Sequence, residues 1–154
     1  MLSLLQRVSE ARVSVDGQVI GEIGHGLLVL VCAEPGDTPA EADALLAKIL
    51  KLRIFADENG RMNRSVQDVG GGLLIVSQFT LAADSRKGNR PSFTRAAAPE
   101  HGQAMYDYLL ARAREQHPMV AGGEFAANMQ VSLINDGPVT IPLNIPPAIR
   151  PDQD

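Results

Sequence analysis

Polar side chains gather at the end of an unbroken aliphatic run. Leu73-Leu74-Ile75-Val76 leads directly into Ser77-Gln78-Phe79-Thr80-Leu81. A strand of four consecutive large aliphatics is predicted to be buried on both faces, where side-chain amides and hydroxyls must find partners. Ser77, Gln78 and Thr80 therefore fit one of two readings: a strand emerging into solvent, or an active-site rim held by a rigid core strand. Composition leaves both open.

Other catalytic arrangements are absent. The chain has no Gly-x-Ser-x-Gly elbow, no phosphate loop ending in Gly-Lys-Ser/Thr, no Gly-x-Gly-x-x-Gly opening a helix and no His-Glu-x-x-His. The single Cys32 excludes an intrachain disulfide and a multi-cysteine zinc site, and its apolar surroundings predict a buried structural thiol. His25 lies between glycines and reads as an exposed turn residue. His101 and His117 lack a metal-ligand partner at usable spacing and read as helix-surface positions. An enzyme built from these residues needs an activated substrate, such as an ester, and works by positioning and oxyanion stabilisation.

The formal net charge of -4 argues against global attraction to nucleic acid. Cations do cluster locally: Arg86, Lys87, Arg90 and Arg95 stand against one acid, Asp84, just after the polar segment. This stretch is either a solvated loop or a phosphate-facing loop beside the rim.

The positioning elements follow from periodicity. Ala11, Val13 and Val15 alternate with Arg12, Ser14 and Asp16, the mark of a half-buried strand, and Asp16-Gly17 turns it into a return strand. Leu27-Leu28-Val29-Leu30-Val31 reads as a second fully apolar strand. Thr38-Pro39-Ala40-Glu41 combines an N-cap, a first-turn proline and a capping-box glutamate, which predicts a helix over 39 to about 53. A second helix is expected over 99–116, with Met105, Tyr106, Leu109 and Ala113 along one face. Short strands are expected at Ile54-Phe55 and over 66–69. Near the end, Met129, Val131 and Leu133 alternate in a strand that turns at Asn135-Asp136-Gly137-Pro138 into Val139-Thr140-Ile141. From Pro142 onward the prolines predict an extended or disordered end.

The sum is seven or eight strands and two helices, an α+β domain with hairpin-clustered strands. A chain of 154 residues suffices for one domain, taken as 1–145 with a Pro-rich tail at 146–154. The N-terminus lacks a secretory signal's pattern, and no run approaches the roughly 20 residues of a membrane span. Cytoplasm is the expected location.

Two motifs carry a resemblance. Ser77-Gln78-Phe79-Thr80-Leu81 and Asn135-Asp136-Gly137-Pro138-Val139-Thr140 are similar to the signature motifs of the D-aminoacyl-tRNA deacylases. Further similarity lies in Gln6-Arg7-Val8, Gly21-Glu22-Ile23, Arg53-Ile54-Phe55, Met62-Asn63, Arg90-Pro91-Ser92-Phe93 and Phe125-Ala126, so that it covers about residues 1 to 141. The resemblance implies a barrel-like, mixed or mainly antiparallel sheet with two helices. It also implies a homodimer that needs no cofactor or metal and hydrolyses the ester linking a D-amino acid to the 3′ end of tRNA. Glycine mischarged onto tRNA would be cleared as well.

By the same resemblance, Ser77, Gln78, Phe79 and Thr80 line the catalytic pocket, with backbone N–H groups around Gln78 and Phe79 holding the terminal ribose and the oxyanion. Thr80 is a nucleophile in one view of the family; in the other, the 2′-hydroxyl of the tRNA does the chemistry. The absence of a plausible base for Thr80 favours the latter, since an unactivated hydroxyl is a poor nucleophile. Gly137 and Pro138 would form a cis dipeptide that enters the partner subunit's pocket and excludes L side chains, with Met129 flanking it. Arg86, Lys87 and Arg90 are the candidates for phosphate contact, and a membrane has no role. The alternative is a non-catalytic nucleic-acid-binding module on the same fold.

Overall fold

The computed structural model describes residues 1–149. Its elements run β1 (Leu2–Val15), β2 (Gln18–Ile23), β3 (Gly26–Cys32), α1 (Pro39–Lys51), β4 (Phe55–Ala56), β5 (Met62–Arg64), β6 (Gly72–Ser77), α2 (Pro99–Gln116), β7 (Val120–Gly122) and β8 (Gln130–Asn144). Strands β4 and β5 form a separate small hairpin.

The main sheet has the order β2-β1-β3-β6-β7, with β8 paired to β1. The long β1 is its spine. The first half of β1 pairs antiparallel with β3 and the second half with β2, while β8 runs antiparallel along it. Strands β3, β6 and β7 are mutually parallel, joined by crossovers that carry α1 and α2. Hairpins therefore account for only part of the sheet. It curls until β7 meets β2, giving a nearly closed mixed barrel.

The curl explains why β6 is apolar throughout. Leu73 and Ile75 pack against the helices with Leu5, Leu27, Val29, Leu45 and Leu109. Leu74 and Val76 point the other way, into a second cluster with Val8, Val13, Ile23 and Leu28 inside the barrel. Each fully buried aliphatic contributes about 1.5–3 kcal/mol, so β6 is anchored from both faces.

Helix α1 begins as expected, with the Thr38 hydroxyl and the Glu41 carboxylate forming a reciprocal capping box worth about 1 kcal/mol. Glu41 also accepts from Ala148 N–H at 2.9 Å, and these hydrogen bonds, led by that from Thr38, hold its carboxyl down at about 2. The Met1 ammonium is buried and ion-paired with Asp37 at 3.1 Å and Glu34 at 3.4 Å.

Four local expectations are corrected. Residues 66–69 form turns instead of a strand, knitted by Val69 N–H to Ser65 O and Gly71 N–H to Val66 O. His117 is buried, and its Nε2 lies 2.6 Å from Gly71 O, a partner 46 residues away. Asn135-Asp136-Gly137-Pro138 does not reverse the chain. Val8 pairs with Asn135 and Gln6 with Thr140, so residues 136–139 bulge from one continuous β8. Finally, Pro142 lies within β8 opposite Leu4, tolerated because β8 pairs only with β1 among the described residues. Residues 150–154 of the expected tail, Pro151 included, lie outside the described residues.

Candidate active site

Strands β3, β6 and β7 all end at the same edge, and a cavity of about 580 Å³ opens there. Ser77, Gln78 and Phe79, at and just after the end of β6, line it together with Phe125 and Met129, which follow β7. The buried Tyr106 of α2 also lines it. Ser77 is the last residue of β6 and pairs with Val31. The chain then leaves the sheet in a 3-10 turn, Phe79–Ala82, closed by Leu81 N–H to Gln78 O and Ala83 N–H to Thr80 O.

This local geometry decides which amides are free. Gln78 N–H donates to Val31 O at 2.8 Å, extending the parallel ladder, and so is committed. Phe79 N–H and Thr80 N–H open the 3-10 turn, where donors lack partners within the turn, and neither meets a backbone acceptor among the described residues. Of the two amides that the resemblance puts at the oxyanion, Phe79 N–H is the available one.

The Thr80 side chain is exposed and does not line the cavity of its own chain. Its hydroxyl takes a hydrogen bond from the Gln78 amide, its side-chain partner among the described residues. An amide donor cannot accept a proton, so this arrangement does not activate the hydroxyl. Cys32 borders the same cavity, but burial pushes its thiol up to about 11 and keeps it protonated.

Phe79 and Phe93 make an edge-to-face pair at the mouth, with ring centroids 5.1 Å apart. Phe79 is 56% exposed, so its ring is open to solvent at the mouth. Three of the chain's four phenylalanines thus surround one cavity. Phe93 and Tyr106 were not singled out from sequence as site residues. The scarcity of aromatics in the chain is the signal that could have raised them.

Phe93 also ends the basic loop. Asp84 and Ser92 exchange backbone hydrogen bonds at 2.8 Å, pinching the loop at its base. Arg86 is held by Asp84 through two side-chain hydrogen bonds of 2.9 and 2.7 Å, and this holds the Asp84 carboxyl down at about 2. Lys87 and Arg90 are exposed and form no ion pair among the described residues.

Gly137 and Pro138 sit apart from this cavity in their own chain. The peptide between them is cis. Their excursion is held by side chains. Asn135 receives Val139 N–H at 3.0 Å and donates to the Thr140 hydroxyl at 2.9 Å, bridging the base of the bulge. Arg7 donates to Asp136 O at 3.0 Å and to Ile54 O at 2.8 Å. Gly137 has φ +137, and a Cβ there would lie 2.8 Å from Val139 Cγ2 and 3.0 Å from its backbone N. Ser77, Gln78, Phe79 and Met129 are therefore united in one cavity, Thr80 stands beside it, and the dipeptide lies elsewhere.

Residues 4–144 match the family model described as D-Tyr-tRNA(Tyr) deacylase. The chain belongs to that family. It is 71% identical over 147 residues to a D-aminoacyl-tRNA deacylase of Paracidovorax citrulli, covering 96% of this chain and 95% of the relative. It is 70% identical over 148 residues to one from Azoarcus sp., at coverages of 96% and 98%. A solved structure of a protein named "c-Myc DNA Unwinding Element Binding Protein" superposes with a TM-score of 0.90 at 41% identity, covering 95% of this chain and 99% of that one. A probable eukaryotic D-amino acid tRNA deacylase shares the fold at a TM-score of 0.81 and 18% identity, with coverages of 94% and 98%. The family is one of enzymes, hydrolases of the aminoacyl-tRNA ester bond.

Proposed function

We propose that this chain hydrolyses the ester joining a D-amino acid to the terminal adenosine of tRNA, and likewise clears glycine mischarged onto tRNA for alanine. The observation that carries this reading is the cavity itself. It combines apolar and aromatic walls suited to a nucleoside with a free Phe79 N–H at the end of a rigid strand, and it has no activated side-chain nucleophile. An aminoacyl ester is already reactive, so placement and oxyanion stabilisation suffice. Water adds to the carbonyl carbon, and Phe79 N–H stabilises the oxygen that takes the negative charge. Collapse of the intermediate expels the ribose 3′-oxygen, which gains a proton as the free amino acid leaves. The adjacent 2′-hydroxyl of the substrate fits the proton-handling role better than Thr80, given the Gln78 amide on the Thr80 hydroxyl.

The active unit is a homodimer in which Gly137 and Pro138 of one subunit close the cavity of the other. Two observations support this. The dipeptide does not line the cavity of its own chain, and β8, which carries it, pairs on one side only. A backbone wall against the substrate's α-carbon excludes an L side chain, while a D residue or glycine passes. Lys87 and Arg90 contact phosphate near the acceptor end, with Arg86 contributing less because Asp84 shares its charge. Among the described residues no helix is long and apolar enough to cross a membrane, and the cytoplasm, where charged tRNA is used, is the proposed place of action. The 41% identical protein is named for binding a DNA element, which suggests a nucleic-acid-binding module instead, but a net charge of -4 gives that reading little electrostatic support.

The test is hydrolysis of D-tyrosyl-tRNA, L-tyrosyl-tRNA and glycyl-tRNA beside enzyme-free controls. Rapid loss of the D and glycyl esters, with the L ester at background, is expected. Background rates for all three would return the chain to the binding-module reading. A D-tyrosyl-tRNA ending in 2′-deoxyadenosine separates the two mechanisms: it resists hydrolysis if the 2′-hydroxyl acts and is cleaved normally if Thr80 does.

A further inference from the structure

Strands β6 and β7 pair through Leu73–Val120, Leu74–Ala121 and Ile75–Gly122, and then separate. The cavity opens where they part. At the point of separation the Tyr106 hydroxyl stands between the two backbones. It donates to Ile75 O at 2.7 Å and accepts from Gly123 N–H at 3.0 Å. A tyrosine hydroxyl has one proton to give and lone pairs to receive, so it splices one more rung into the ladder, widened by an oxygen atom. Burial pushes the phenol pKa up, keeping the donated proton in place.

The two strands it joins both lead into residues that line the cavity. Ile75 is two residues before Ser77, and Gly123 is two residues before Phe125. The Tyr106 ring also packs on the Phe125 ring, with centroids 6.3 Å apart. The adjoining glycines keep the space clear: a Cβ on Gly122 would lie 2.9 Å from the Tyr106 hydroxyl oxygen, and one on Gly123 would lie 2.6 Å from the Met129 sulfur.

We propose that Tyr106 is a positioning residue whose hydroxyl sets the gap between the Phe79 amide and the Phe125–Met129 wall, and so governs turnover. The inference rests on the deacylase reading above. Nucleophile and oxyanion must be placed within a fraction of an ångström, whereas ground-state binding by stacking and phosphate contact is more tolerant. Loss of the hydroxyl is therefore felt in kcat more than in KM.

The chain contains one other tyrosine, which supplies the control. Tyr108 lies on the same helix and bonds Asp43 of α1 at 2.9 and 3.0 Å, remote from the cavity. The experiment measures kcat and KM on D-tyrosyl-tRNA for the full-length wild type, Tyr106→Phe, Tyr108→Phe and Gly122→Ala, with folding checked by circular dichroism at the assay temperature. Gly122→Ala keeps the tyrosine but pushes its hydroxyl aside, and its other close contacts are the flexible end of Leu110. It carries the test if Tyr106→Phe does not fold.

The expected result is a kcat lower by about tenfold or more in Tyr106→Phe and Gly122→Ala, KM within about threefold of wild type, and Tyr108→Phe within about twofold in both. A folded Tyr106→Phe that keeps wild-type kcat would overturn the inference, as would an equal loss in Tyr108→Phe or a change confined to KM. An inactive wild type would instead remove the deacylase reading and this inference with it.

Discussion

The Ser77-Gln78-Phe79 rim and the Gly137-Pro138 excursion meet in one proposed site, yet they are held by opposite means. The rim extends β6, which has a parallel neighbour on each side and buried aliphatics on both faces. The excursion leaves a strand paired only with β1, and Asn135 and Arg7 hold it by side-chain hydrogen bonds. Burial suits a group that must present one N–H at a fixed point. Polar staples suit a segment that has to stand out from its own subunit and still keep a defined shape. The proposed site would thus be assembled from a stiff half and a projecting half, and a variant in either can be chosen to spare the other.

Removing the rim's donor has the largest expected effect. Phe79→Pro deletes the backbone N–H at the first position of a turn, where proline is tolerated. It also removes the ring that pairs with Phe93, so Phe79→Ala, which loses the ring and keeps the N–H, is its control. The preceding Gln78, at φ -143 and ψ 81, already lies outside the α region that a following proline disfavours. Steady-state kinetics on D-tyrosyl-tRNA should show kcat down by about 100- to 1,000-fold, the usual cost of an oxyanion donor. A loss below tenfold would assign the oxyanion to another group.

Gly137→Ala attacks the projecting half. The added methyl meets Val139 at 2.8 Å in a backbone conformation that L side chains rarely adopt. About 100-fold lower activity on the D ester is expected from the displaced wall, with thermal unfolding of the β6 core nearly unchanged. A fully active, fully selective variant would break the proposed division of labour.

The loop at the mouth gives a smaller, salt-dependent effect. Lys87→Ala combined with Arg90→Ala should raise KM several-fold at physiological salt and lower the slope of log KM against log salt by about one to two. Arg86→Ala should do less, because Asp84 already shares its charge. Equal effects from all three would place the phosphate path elsewhere.

The smallest effect lies far from the site and tests the scaffold. The Glu41 carboxyl titrates at about 2 when folded, against 4.5 ordinarily. As pH falls, the unfolded chain takes up that proton first. The stability Glu41 supplies is therefore present above about pH 4.5 and lost between there and about pH 2. Glu41→Gln should be less stable than wild type at pH 7 and show a flatter decline across that window in urea unfolding, with kcat at neutral pH unaffected.

Much of the stiff half was legible from sequence because its causes are local. Four adjacent aliphatics require burial on both faces, and Thr38-Pro39-Ala40-Glu41 carries its own helix start. The projecting half was misread for a physical reason. Asn-Asp-Gly-Pro has the composition of a turn, and only the resumed pairing of Thr140 with Gln6 shows that the strand continues. Single-sided pairing likewise admits Pro142, which composition alone would bar. His117 and Tyr106 were read as helix-face residues, correctly for the Tyr106 ring, but the partners of their polar atoms lie 46, 31 and 17 residues away. Position along a helix carries no record of such bonds. The commitment of Gln78 N–H to Val31 O was invisible for the same reason.

The central claim is that each site takes its rim from one subunit and its chiral wall from the other. Mixing Phe79→Pro and Gly137→Ala subunits under conditions that exchange protomers tests it directly. In a mixed dimer one site would receive both defects and the other neither. Equal mixing should therefore restore about a quarter of wild-type D-tyrosyl-tRNA hydrolysis from two nearly inactive proteins, since half the dimers are mixed and half their sites intact. Activity that stays at the sum of the separate variants, with subunit exchange verified, would contradict a shared site.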